Sequence, residues 1–344
     1  MKNIFFFGRF PAYKEVGGVT TFTYNFAMKF KGSNLKVIDF YPAQRKKIPE
    51  GVSYKLLKGN VLSRLLNIFM FCFKCEGNYI FNFSSIRSLL FMAVLPKRKD
   101  TKWIAIFHNG DQEKNYNRMS AIERIVLRCC FNKIDVLGYL SEKQLEFFKQ
   151  FKLSELQRVS PYISKTIKTK KNIGNREQSV VPNILVTGFP TKIYRLSETI
   201  DMLSELTGLG YAFNLNVCLY GLDNEGLRTE ILEKISGNNN IFLHEHLDES
   251  EFNNLLDKTD IYLRLNSVDS FGLVVAEAIE KDIIVISTDV CERYPGALLV
   301  KKDDFNLVSD EVLYILKNRK ISGELPVQVK PNGIVSYEEL LERL

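Results

Sequence analysis

The residues best arranged for chemistry lie between Asp260 and Ile279. Ile261-Tyr262-Leu263-Arg264-Leu265 reads as a strand, the next residues as a turn, and Gly272–Glu280 as a helix. The free N–H groups of such a helix start can face an anion, and the helix dipole assists. Asp269 stands at the mouth of the turn. Glu277 falls about one and a half turns into the helix, where its carboxylate can accept hydrogen bonds from vicinal hydroxyls such as those of a ribose. An ordinary strand–turn–helix with surface acids would give the same pattern.

Other motifs carry less chemistry alone. Gly17-Gly18-Val19 opens a helix, and paired glycines allow close backbone approach to a phosphate; a plain turn is the alternative. His108 is one of three histidines and follows a strand in Phe107-His108-Asn109-Gly110-Asp111. Val186-Thr187-Gly188-Phe189-Pro190-Thr191-Lys192-Ile193-Tyr194-Arg195 and Tyr220-Gly221-Leu222-Asp223 also end strands. His244-Glu245-His246 has too few neighbouring ligands for zinc, and Cys72-Phe73-Lys74-Cys75 is a lone pair inside an apolar helix. No Asp-x-Asp occurs. We expect no metal site.

These motifs need a scaffold. Short apolar strands alternate with helices throughout, which implies βαβ units and mostly parallel sheets. The expected elements include helices at 85–95, 117–131 and 141–151, the last with Ser141 as N-cap. Residues 164–182 are rich in Lys, Asn and Thr and break the alternation. The expected organisation is an N-terminal Rossmann-like domain over 1–165, a linker over 166–182, and a second such domain over 183–330. A helix within 331–344 is expected to pack back on the first domain. Ligands should lie at the carboxyl ends of the strands, in a cleft between the domains.

Composition agrees with a globular protein: 344 residues, 45% hydrophobic and 25% charged, enough for two cores. Six cysteines are too few for a disulfide scaffold. The N-terminal apolar run is too short for a signal peptide and no stretch is long enough to span a bilayer, so a cytoplasmic protein is expected. Charge is split: residues 1–165 hold 28 Lys and Arg against 12 Asp and Glu, whereas 166–344 hold 19 against 28. A basic half suits an anionic membrane or a phosphate-bearing substrate. No stacking platform or recognition helix points to nucleic acid. Arg64, Arg87, Lys97, Arg98 and Lys99 flank apolar segments in residues 61–102 and are the expected membrane or acceptor contacts.

Asp269-Ser270-Phe271-Gly272-Leu273-Val274-Val275-Ala276-Glu277-Ala278-Ile279 resembles the acid–seven–Glu motif of retaining glycosyltransferases of family four, with Asp in place of the first Glu. The resemblance is strongest over 240–305 and collinear over the rest. It implies the GT-B fold, two doubly wound Rossmann-like domains facing across a cleft. It implies transfer of a sugar, with retention, from a UDP-, GDP- or dTDP-sugar, without a cofactor. Its site residues map to His108 and Asp269 near the sugar. The donor is implied to meet Gly17, Gly18, Gly188, Phe271, Gly272, Leu273 and Glu277, with Lys192 or Arg195 on the diphosphate. Phe189 stands where the family has Arg. With the basic half, the resemblance implies a polyprenyl-diphosphate-linked acceptor, as in bacterial O-antigen, capsule or exopolysaccharide assembly, and a peripheral site on the inner face of the cytoplasmic membrane. A nucleotide-sugar epimerase and a non-catalytic GT-B binding protein are the alternatives.

Overall fold

The computed structural model describes residues 2–12, 18–41, 46–108, 112–163, 181–223, 225–323, 325–327 and 333–342. The chain divides into two compact units, 1–165 with 331–344, and 166–330. Gly17 and the expected linker up to residue 180 lie outside the described residues.

The first unit is built on a parallel sheet in the order β3-β2-β1-β4-β5-β6-β7. Its strands are β1 (Ile4–Phe7), β2 (Leu35–Asp39), β3 (Ser53–Leu56), β4 (Asn78–Phe83), β5 (Trp103–Phe107), β6 (Val136–Tyr139) and β7 (Leu156–Arg158). Strands β4 and β5 are buried along their whole length, as expected where helices cover both faces of a parallel sheet. One face packs Phe5, Phe7, Phe81, Phe83, Trp103 and Phe107 against α2 (Val61–Lys74), the 3-10 segment Ile86–Val94 and α4 (Ala121–Phe131). The other face packs Phe6, Ile80 and Ile104 against α1 (Gly18–Lys29). Tyr337 of α11 (Tyr337–Glu342) joins that second core, its ring edge-on to Phe22 and Phe26.

Three local readings change. The expected helix at 117–131 is α4, which starts only at Ala121 because Ser120 and Glu123 form a capping box there, and a separate short helix, α3 (Gln112–Asn117), precedes it. The expected helix at 85–95 is a 3-10 run. Strand β7, three residues long, gave no periodic signal. Ser141 caps α5 (Glu142–Phe148), its hydroxyl accepting from the Gln144 N–H.

The second unit carries a six-stranded parallel sheet, β10-β9-β8-β11-β12-β13. The strands are β8 (Asn183–Gly188), β9 (Asn214–Leu219), β10 (Ile241–Glu245), β11 (Ile261–Arg264), β12 (Ile284–Thr288) and β13 (Leu298–Val300). Helices α6 (Leu196–Gly208), α7 (Leu227–Ile235), α8 (Glu249–Asp257), α9 (Leu273–Glu280) and α10 (Phe305–Asn318) connect and cover them. Strand order reverses between β8 and β11, which pair at Ile184–Ile261 and Val186–Leu263. Ligands of doubly wound sheets bind outside the carboxyl ends of strands at such a switch point.

Candidate functional site

The two turns at the switch point meet directly. The turn after β8 runs from Gly188 to Arg195, the turn after β11 from Leu265 to Gly272. The Ser267 N–H donates to the Ile193 carbonyl at 2.9 Å and joins them. Gly188 is required by its surroundings: a Cβ there would lie 2.4 Å from the Tyr194 ring. Phe189 turns its ring over Gly221, where a Cβ would lie 2.2 Å from it. Gly188, Phe189, Tyr194 and Gly221 therefore form one packed surface at the ends of β8 and β9.

Asp269 sits beside this surface between two arginines. Its carboxylate accepts from Arg264 Nε at 2.8 Å and Nη2 at 3.2 Å, and from Arg293 Nη1 at 2.6 Å. Arg293, wholly buried, also donates to the Phe271 carbonyl at 3.1 Å and the Thr288 carbonyl at 3.2 Å. It thus staples the turn to the end of β12. The Arg264 guanidinium lies over the Tyr194 ring at 5.1 Å. Burial pushes the Asp269 carboxyl up, but Arg264 and then Arg293 outweigh it and hold the group well below the usual carboxylate range. Two guanidiniums against one carboxylate leave this cluster with a net positive charge.

The same turn opens α9. Gly272 has φ +77, and a Cβ on it would meet Arg293 Nη1 at 2.9 Å. Among the described residues no side chain caps the helix. Its first amides, at Leu273 and Val274, therefore sit where an anion could accept from them. Glu277 is half-buried on α9. Burial raises the Tyr220 hydroxyl above its ordinary pKa, and the Glu277 charge contributes in the same direction. That carboxylate therefore lies within electrostatic reach of the turn after β9.

The two candidate cations differ. Lys192 is exposed, with its backbone N–H on the Glu225 carboxylate at 2.9 Å. Arg195, at φ +53, donates to the Lys302 carbonyl, pairs with Asp303 at 3.2 Å and stacks on Phe305 at 4.5 Å. Its guanidinium is committed to the start of α10.

In the first unit, His108 follows β5. Its Nε2 is 2.6 Å from Asn82 Oδ1, and its ring is 4.4 Å from that of Phe22. The Asn82 amide nitrogen donates to Thr23 Oγ1 at 3.0 Å, so its oxygen faces the imidazole and Nε2 carries the proton. Burial lowers the His108 pKa to about 3. The ring is neutral near pH 7, and Nδ1 has no hydrogen-bond partner among the described residues. Gly18 begins α1, whose Val19 carbonyl accepts from Thr23 Oγ1.

The five expected membrane or acceptor cations are largely engaged within the first unit. Arg64 donates to the Phe40 carbonyl at 2.6 Å, and Arg87 pairs with Glu123 at 2.5 Å. Lys97 pairs with Asp135 at 2.7 Å, and Arg98 with Glu76 at 2.8 Å. Lys99 is exposed.

Sequence reading missed Arg264 and Arg293. Arg264 was legible: a cation at a strand end, five residues before the acid. Arg293 had no local signal, since only the fold brings it to the turn.

No protein-family model matches the chain, and no curated protein matches it. Solved structures do. TarM of S. aureus aligns over 92% of both chains at 12% identity and a TM-score of 0.68. HepE of Anabaena, crystallised with UDP, covers 92% of this chain and 91% of its own at 10% identity and 0.68. The lipopolysaccharide outer core galactosyltransferase WaaB covers 94% and 91% at 15% identity and 0.60. The fold is GT-B. The two sheets and the switch point in the second unit are those expected of that architecture.

Proposed function

We propose that this chain is a glycosyltransferase that takes a sugar from a nucleotide-sugar donor. The observation that carries the reading is the uncapped start of α9 set beside the Gly188 turn at the switch point of the second sheet. Likeness to structures solved with UDP and with UDP-glucose supports a nucleotide-sugar donor.

In this reading the donor diphosphate accepts from the Gly272–Val274 amides, with the exposed Lys192 as its cation. The net positive Arg264–Asp269–Arg293 cluster favours the same charge. Asp269 is then a positioning residue, since its carboxylate is taken up by the arginines. Glu277 accepts from the ribose hydroxyls, and Phe271 and Leu273 flank the sugar. By the family resemblance alone, His108 is assigned to a sugar hydroxyl and Gly17 and Gly18 to the donor diphosphate. The acceptor hydroxyl attacks the anomeric carbon from the face the nucleotide leaves. One C–O bond forms, the bond to the phosphate oxygen breaks, and the departing phosphate takes the proton. The anomeric configuration is retained. The protein contributes positioning and charge stabilisation, and no metal or other cofactor is assigned a part.

We further propose a polyprenyl-diphosphate-linked saccharide as acceptor, held by the basic first unit at the inner face of the cytoplasmic membrane, in cell-surface polysaccharide synthesis. The likeness to WaaB, a lipopolysaccharide enzyme, supports a saccharide acceptor.

Titrating UDP-, GDP- and dTDP-sugars into the protein without added divalent metal tests the donor. One of them should raise Tm, and Glu277→Ala should abolish that rise while leaving the unliganded Tm within about a degree. Stabilisation by none of them would end the donor reading. Binding without transfer to any lipid-linked saccharide would favour a non-catalytic role on the same fold.

A further inference from the structure

Helix α2 is inverted in one respect. Its inward face buries Ile68, Phe71 and Cys72. Its outward face is also apolar. At about 100° per residue, Leu62, Leu66, Met70 and Phe73 fall within about an 80° arc turned away from that core. They are 38–76% exposed. A surface helix normally turns polar residues outward.

The exposure continues on neighbouring elements. The 3-10 segment and α4 pack on the same sheet face as α2, and Arg87 of the first is paired with Glu123 of the second at 2.5 Å. Val94 on the 3-10 segment and Ile122 and Ile125 on α4 are each more than 60% exposed. With Val61 at the start of α2, one helical layer thus presents eight large apolar side chains to solvent, a surface that calls for a partner.

Charge selects the partner. Residues 55–133, which build this layer, hold fourteen Lys and Arg against five Asp and Glu. Lys58, Lys74, Lys99 and Arg128 are exposed on or beside it. Two copies meeting through this face would set basic layers against each other. An anionic bilayer satisfies both features: its headgroups attract the cations, and its acyl boundary takes the apolar side chains. No described helix is long and apolar enough to cross a membrane, so the contact lies in the interface plane.

We propose that the outer face of α2, the 3-10 segment and α4 seats the protein on an anionic lipid bilayer, with Leu62, Leu66, Met70 and Phe73 entering the headgroup–acyl boundary. This deepens the lipid-linked acceptor reading and rests on it for its purpose. The expected basic contacts become secondary, because Arg64, Lys97 and Arg98 are already engaged, and the apolar stripe does the anchoring.

The test is flotation of the full chain with phosphatidylcholine vesicles, with and without about one-quarter phosphatidylglycerol, at about 0.1 M NaCl. Binding is expected to the anionic vesicles and only weakly to the neutral ones. Leu62→Glu with Phe73→Glu should lower the bound fraction at least about tenfold, with Tm and nucleotide-sugar binding unchanged. Absence of the wild-type protein from the anionic vesicle fraction would overturn the proposal. So would undiminished binding by the variant, or complete loss of wild-type binding in about 0.5 M NaCl, which would mean that charge alone is responsible. Light scattering that shows a dimer abolished by the same two substitutions would assign the face to a second copy. Flotation without nucleotide-sugar binding would keep this surface and reject the donor reading; the reverse would reject the surface alone.

Discussion

Arg293 Nη1 lies 2.6 Å from Asp269 Oδ2, across 24 residues of chain. The pair joins the end of β12 to the turn that opens α9, and the same guanidinium holds the Phe271 carbonyl. The acid of the sequence motif is thus one member of a buried ionic staple that shapes a turn.

Arg293→Met should therefore leave Asp269 facing Arg264 alone and free the Phe271 carbonyl. Arg264 still neutralises the carboxylate, so the loss is that of buried hydrogen bonds to a charged group, about 1.5–3 kcal/mol, or a fall in Tm of about 5 °C for a unit of this size. Arg293→Lys keeps the charge but loses the fork that reaches Asp269 and Thr288 together. It should recover part of the stability yet still weaken donor binding by about tenfold or more. Calorimetry and nucleotide-sugar titration on both variants separate the two effects. Equal donor affinity in the Lys variant would show that the staple does not shape the site.

Lys192 and Arg195 should part ways. Lys192→Ala should lower affinity for a nucleotide diphosphate by about tenfold, since an exposed cation beside a phosphate contributes on the order of 1 kcal/mol, and leave Tm unchanged. Arg195→Ala should lower Tm through loss of the Phe305 stacking and the Asp303 pair, with affinity little altered. The opposite pattern in isothermal titration would return the diphosphate contact to Arg195.

His108 predicts acid sensitivity. Its pKa is about 3 in the folded chain and about 6.5 when unfolded. The folded value is the lower one, so the unfolded state takes up the proton first. The stability linked to His108 is complete above about pH 6.5 and declines as pH falls from there towards 3. Asp269, also depressed, adds a similar loss only below about pH 4. Urea midpoints measured between about pH 7 and 5 should fall with pH, and His108→Gln should flatten that slope. An imidazole seen by NMR to titrate near 6.5 would contradict the half-buried, neutral ring and its Nε2 proton.

Much was legible in the chain itself. Alternating apolar runs predict parallel β/α units, and both sheets are built of parallel pairs. Local chemistry is enough there, since strand burial and helix periodicity are written in neighbouring residues. Ser141 was readable as a cap for the same reason. Ser120 and Glu123 carry a capping-box signature, and it is this box that starts the helix expected over 117–131 at Ala121.

What the chain could not display was proximity. The sequence determined that Asp269, Gly272 and Glu277 share one turn and helix, because their spacing is local. It also determined a basic first half and apolar residues at positions 62, 66, 70 and 73. Tertiary structure decided that β8 lies beside β11, which joins the turn after Gly188 to the turn before Gly272 through Ile193 and Ser267. It also decided that Arg293 neutralises Asp269, and that the apolar stripe of α2 faces solvent. Those outcomes depend on sheet order and on which helix face finds a partner, and both are set by packing across long stretches of chain.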